Sequence, residues 1–99
     1  MAQKIIWSHE ADTDLESIAG HIALDSTFYA AAFVREVRST SLTLKTFSER
    51  GRIVPEMNQR TIREIFVRDY RLIYKIEESK VTILALIHGA RDLKKMSKG

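Results

Sequence analysis

The sequence predicts an α+β fold: an N-terminal strand, an antiparallel helical hairpin, then a three-stranded antiparallel sheet packed on the helices, in one domain over residues 1–99. Three observations lead there. Apolar residues recur at helical spacing twice in the first half, at Ala11, Leu15, Ile18 and Ile22, then at Ala30, Phe33 and Val37. Between Thr61 and Arg91 the period changes to two, with Tyr70, Leu72, Tyr74 and Ile76 pointing one way and Arg71, Lys75 and Glu77 the other. Short polar breaks, Arg68-Asp69 and Glu78-Ser79, divide this second half into strands.

Taken in order, Lys4-Ile5-Ile6-Trp7 is a β-prone run expected to pair with the later sheet. Ser8 offers an N-cap, and Glu10, Asp12, Asp14 and Glu16 crowd the next two turns, where negative charge suits the helix dipole. This helix is expected to stop near Leu24-Asp25-Ser26, and the second to run from about Thr27 to Phe47, roughly 30 Å at about 1.5 Å per residue. Its stripe is Ala30, Phe33, Val37, Leu44 and Phe47, with Thr40 and Ser41 in the middle. Phe28, Tyr29, Ala31 and Ala32 lie off that stripe and are expected to pack between the helices. Gly51 is the expected C-cap. Residues 53–60, with Pro55, form an irregular link. The last strand, Val81 to Ile87, is apolar on both faces apart from Thr82, which places it inside the sheet rather than at an edge.

Composition narrows the function classes. With 99 residues, 44% hydrophobic and 29% charged, the chain can bury one core. No run approaches the roughly 20 apolar residues of a membrane helix, and the N-terminus lacks the apolar core of a signal peptide, so a cytoplasmic address is expected. Zero cysteines exclude disulfides and thiol chemistry, and three scattered histidines leave little for a metal, so no metal and no cofactor are expected. Charge is divided unevenly. Residues 1–49 hold four Lys/Arg against seven Asp/Glu, a balance of −3; residues 50–99 hold twelve against six, a balance of +6. A basic half of this kind either is a solvated surface or meets an acidic partner, nucleic acid or protein.

The ordered set of short motifs resembles the ParE/RelE superfamily of bacterial toxins. The matching residues are Gly51, Arg52, Pro55 and Glu56; Arg63 and Glu64; Tyr70, Arg71, Leu72 and Tyr74; and His88, Gly89 and Arg91. Upstream, Ala11, Asp14, Leu15, Ile18 and Ile22 fit the first-helix pattern of those toxins. The resemblance implies the toxin of a type II toxin–antitoxin pair, silenced in a hetero-oligomer by a cognate antitoxin that wraps an often acidic segment around helices and sheet.

Two activities occur in the superfamily. RelE-like members are ribosome-dependent endoribonucleases that cut mRNA, and that chemistry needs a base for the 2′-hydroxyl, cations for the phosphate and an acid for the leaving oxygen. In the lysine-using branch the lysine positions fall here near Glu64 and Phe66, and the late tyrosine falls near Ser97, although no tyrosine follows Tyr74. Arg71 and Arg91 match the arginines. A second ribonuclease branch uses Glu, Arg and His, which Glu64 or Glu56, Arg71 and His88 imitate in part; with Arg91 these are the catalytic candidates of the ribonuclease alternative. The bland readings are a capped structural His88, an internal Glu64–Arg63 ion pair and an Arg71 that covers the polar face of the sheet. ParE-like members lack the ribonuclease set and inhibit DNA gyrase. The motifs here are closer to ParE, which implies a gyrase poison with no catalytic residues, whose target contacts are Arg71, Arg91, Lys94, Lys95 and Lys98.

Overall fold

The structure, a computed structural model, describes residues 3–91. Its elements in chain order are β1 (Lys4–Trp7), α1 (His9–Ala23), α2 (Thr27–Thr43), β2 (Arg52–Ile53), β3 (Ile62–Val67), β4 (Tyr70–Ile76) and β5 (Lys80–His88). The meander β3–β4–β5 forms as the period-two pattern demands, and Val67 faces Tyr70 across the Arg68-Asp69 turn. Arg68 takes a left-handed φ of 54°, a conformation the β-carbon disfavours. Its side chain offsets that cost with an ion pair to Glu36 at 2.9 Å and a position over the Phe33 ring.

The sheet has five strands in the order β1-β5-β4-β3-β2, one more than the expected N-terminal strand and three-stranded meander. β1 joins as a parallel neighbour of β5, so the sheet is mixed and β5 lies inside it. β2 arises at the start of the stretch read as irregular: Arg52 pairs with Glu64 and Ile53 with Arg63 before Pro55, which has no N–H to donate, ends the ladder.

Ser8 ends β1 and starts α1. Its hydroxyl accepts from the Ala11 amide at 3.0 Å and donates to the Leu84 carbonyl at 3.2 Å. That carbonyl needs a partner because β5 slips by one residue there: Ile73 faces Ala85 but Tyr74 faces Ile83, leaving Leu84 as a bulge. Ser26 caps α2 by accepting from the Tyr29 amide. α2 ends at Thr43, four residues before the expected Phe47. The Ser41 and Thr43 hydroxyls donate to the Arg38 and Thr40 carbonyls, and tighter turns at Leu44, Lys45 and Thr46 close the helix. Phe47 is consequently 64% exposed.

Each sheet face carries its own core. The helices lay Ala11, Leu15, Phe33 and Val37 on Leu72, Tyr74, Val81, Ile83 and Leu86. Fully burying side chains of this size is favourable by about 1.5–3 kcal/mol each. The opposite face, expected to be polar, holds a second cluster of Val54, Ile62, Ile73 and Ile87, joined by Leu84 and Ala85 where the bulge turns both toward it. Phe28 and Tyr29 do not fill the space between the helices; they stack edge to face on each other and are 72% and 59% exposed. Gly51 lies well beyond α2 and caps nothing. Its amide donates to the Tyr74 hydroxyl at 2.9 Å, which donates in turn to the Ser48 carbonyl at 2.7 Å. A β-carbon at Gly51 would stand 2.5 Å from the Glu64 carbonyl oxygen, so only glycine fits this approach.

Candidate functional site

The two-residue turn sets the register of β3 on β4: Phe66 faces Arg71 and Glu64 faces Ile73. Glu64 and Arg71 therefore share the face away from the helices, as diagonal neighbours within reach of long side chains. β2 brings Arg52 directly opposite Glu64. The turn after Val54 brings up Glu56, held by the Met57 and Asn58 amides donating to the Val54 carbonyl.

These four side chains form a closed network. Arg71 donates through Nε to Glu64 Oε1, through Nη2 to Glu56 Oε1 at 2.8 Å, and through Nη1 to Glu56 Oε2 at 2.9 Å. Nη1 also donates to the Arg91 carbonyl at 2.8 Å. The second oxygen of Glu64 accepts from Arg52 Nε. The Arg71 and Glu64 side chains are 4% and 0% exposed, while Glu56 is 17% and Arg52 60% exposed. Two arginines meet two carboxylates, so buried charge is neutralised within the group. The bidentate hydrogen bond to Glu56, reinforced by Glu64, raises the Arg71 pKa above the ordinary arginine range against the opposing effect of burial.

This geometry corrects two expectations. Glu64 does not pair with Arg63; neighbours on a strand point to opposite faces, and Arg63 donates instead to the Arg60, Glu49 and Gly51 carbonyls. Nor does Arg71 spread over an open polar face, since its guanidinium is almost fully enclosed. Arg52, matched only as a motif letter, is the unforeseen member of the network, and Glu56 and Glu64, read as alternatives for one role, both belong to it. The one sequence signal for Glu64–Arg71 is the turn itself, which fixes the diagonal once Val67 and Tyr70 are paired.

His88 faces Tyr70 and lies on the helix side of the sheet, its ring edge to face with Tyr70 at 5.6 Å. Nδ1 accepts from the Ala90 amide at 3.2 Å, the capped arrangement of the bland reading. The sheet thus separates His88 from Glu64 and Arg71, and the four ribonuclease candidates do not converge on one point. Exposed Arg91 links the two sides. It lines a recess of about 340 Å³ with Arg52, Pro55, Glu56, Arg71, Gly89 and Ala90. It also lines one of about 280 Å³ with Asp14, Ser17, Tyr70 and His88. In the second recess Asp14 accepts the Leu86 amide at 3.0 Å, which gives the conspicuous first-helix aspartate a structural task. Lys94, Lys95 and Lys98 lie outside the described residues.

The same architecture, a helical hairpin on one face of a short meander, is found among known toxins. A family model described as the ParE toxin of the type II toxin–antitoxin system parDE matches residues 5–93. The chain belongs to the ParE toxin family. A solved structure described as a chromosomal ParDE TA system from P. aeruginosa is similar with a TM-score of 0.73 at 17% identity, covering 88% of this chain and 96% of that one. At that identity the likeness speaks for the fold alone. No functionally curated protein matches the sequence. For this ParE-family toxin, no helix among the described residues is long and apolar enough to cross a membrane. No three metal-ligating side chains converge among them either.

Proposed function

We propose that this ParE-family toxin arrests growth by binding DNA gyrase, not by cutting RNA, and that a cognate antitoxin silences it in a toxin–antitoxin hetero-oligomer. The closed Glu56–Arg71–Glu64–Arg52 network carries the first part. A general base needs a carboxylate or imidazole within reach of the hydroxyl it deprotonates. Here both oxygens of Glu64 and both of Glu56 are committed to arginines, and the imidazole stands across the sheet. An arginine does not give up its proton in exchange. What remains available among the described residues is cationic surface, Arg91 beside Arg52, with Arg71 anchoring it from within; Lys94, Lys95 and Lys98 follow in the sequence and are proposed as further target contacts.

Apolar exposure on the hairpin supports the antitoxin part. Leu24, Phe28, Tyr29 and Leu42 are 54–81% exposed, and the groove of about 630 Å³ between α1 and α2 is lined by Asp12, Leu15, Val34 and Arg38. A protein that covers such a surface raises solubility and stability together. Inducing the protein alone, then assaying gyrase activity and mRNA integrity from the same cells, tests the reading. Lost supercoiling with intact transcripts is the expected result. New 5′ ends inside codons that vanish in His88→Ala or Arg91→Ala, both exposed positions, would replace it with ribonuclease action on the ribosome.

A further inference from the structure

We propose that the recess beside Arg91 is a binding site for one carboxylate of a partner protein, and that Glu56 occupies it in cis until displaced. The inference rests on the reading that the chain acts by binding another macromolecule. Arg71 presents the planar fork that suits a bidentate oxyanion, and Glu56 fills that fork with both oxygens at 2.8 and 2.9 Å. The two carboxylates on Arg71 are not equivalent. Glu64 is fully enclosed on a central strand and cannot leave, whereas Glu56 sits in a turn after Pro55 with 17% of its side chain exposed. Swinging Glu56 outward would free the N–H that each Nη now gives it, Nη1 keeping its bond to the Arg91 carbonyl, toward a recess of about 340 Å³ that Arg52 and Arg91 already flank.

Charge and surroundings select the occupant. Three arginines against Glu56 and Glu64 leave a balance of +1, rising to +2 with Glu56 swung away, enough for a single anion. A nucleic-acid strand is tracked by a row of cations following its phosphates. Beside this recess stand apolar groups instead: Pro55 lines it, and the Phe66 ring, 49% exposed, lies next to Gly89 with Arg52 over its face. An acidic residue flanked by apolar ones, on an extended protein segment, complements that surface.

The test titrates folded wild-type, Glu56→Gln and Glu56→Ala proteins with a blocked Leu-Glu-Leu tripeptide, its glutamine counterpart, inorganic phosphate and a short single-stranded DNA. The readout is the backbone amide NMR signals of Gly89 and Ala90. Because displacing Glu56 reduces the apparent affinity of the wild type, the acidic tripeptide is expected to bind both variants at least about tenfold more tightly. Adding Arg91→Ala should reverse much of that gain. Arg71 itself is not varied, since its loss would strand Glu64. Equal affinity for wild type and variants, or equal binding of the glutamine probe, overturns the inference. Preference for phosphate or DNA at the same amides overturns the assignment to a protein carboxylate. Gyrase inhibition measured on the same samples separates the two readings: inhibition without peptide binding sinks this inference alone, and binding without inhibition sinks the gyrase target alone.

Discussion

Replacing Arg71 with Met tests whether the buried network is architecture. The side chain is similar in reach and removes every donor that Arg71 supplies. Glu64, with no exposed side-chain surface, would then keep only Arg52, and the Arg91 carbonyl would lose its donor. Stranding a buried charge costs about 3–5 kcal/mol. The surviving Arg52 contact places Arg71→Met near the lower end, about 3 kcal/mol. For a chain of 99 residues, whose whole stability is about 5–15 kcal/mol, that is a large share. It corresponds to a fall in melting temperature of roughly 12 °C or more. Removing both charges is a different perturbation. In the double variant Arg71→Met with Glu64→Leu, Glu56 and Arg52 can turn to water and no buried charge remains. That protein should therefore return to within about 1–2 kcal/mol of wild type. Thermal melts by circular dichroism, at one pH and salt concentration, measure all three. A loss below about 1 kcal/mol for the single variant, or a double variant less stable than the single, would refute the reasoning.

Three further outcomes follow from the geometry. Gly51→Ala forces a β-carbon to within 2.5 Å of the Glu64 carbonyl oxygen and 2.6 Å of the Tyr74 hydroxyl, and urea denaturation should show a loss of about 2–4 kcal/mol from overpacking and a broken hydrogen bond. Burial raises the Tyr74 pKa, so its contribution to stability is fully present below the unfolded value of about 10 and fades as pH climbs through the folded value. Melts between neutral pH and pH 11 should therefore fall more steeply for wild type than for Tyr74→Phe. Asp14→Ala frees the Leu86 amide, which should exchange its hydrogen faster while global stability drops by about 1 kcal/mol.

The meander was readable because β4 alternates cleanly and because Arg68-Asp69 leaves room for only one tight turn. Position inside the sheet was readable for β5, whose apolar residues on both faces need cover from two sides. The end of α2 was hidden because Leu44 and Phe47 prolong the apolar spacing after the hydroxyls of Ser41 and Thr43 have already turned the chain. Alternation alone also hid the second cluster: it assigns Arg71 and Lys75 to a polar face without revealing that Ile62, Ile73 and Ile87 meet Val54 there. That contact depends on where residues 54–61 return, which no local pattern encodes. The site followed the same division. Arg71, Glu64, Glu56 and Arg91 were identifiable as letters of a motif, but partner choice was not. Arg63 was the nearest cation to Glu64 in sequence, yet the pleat turns it to the other face and leaves Arg52 and Arg71 as the partners. His88 carried no sign of the sheet that separates it from them.

A supercoiling assay with purified gyrase and the antitoxin-free, folded protein tests the account most directly. It predicts that supercoiling stops or that gyrase-cleaved DNA accumulates, and that His88→Ala inhibits as well as wild type. A gyrase unaffected by a large excess of the protein would contradict it.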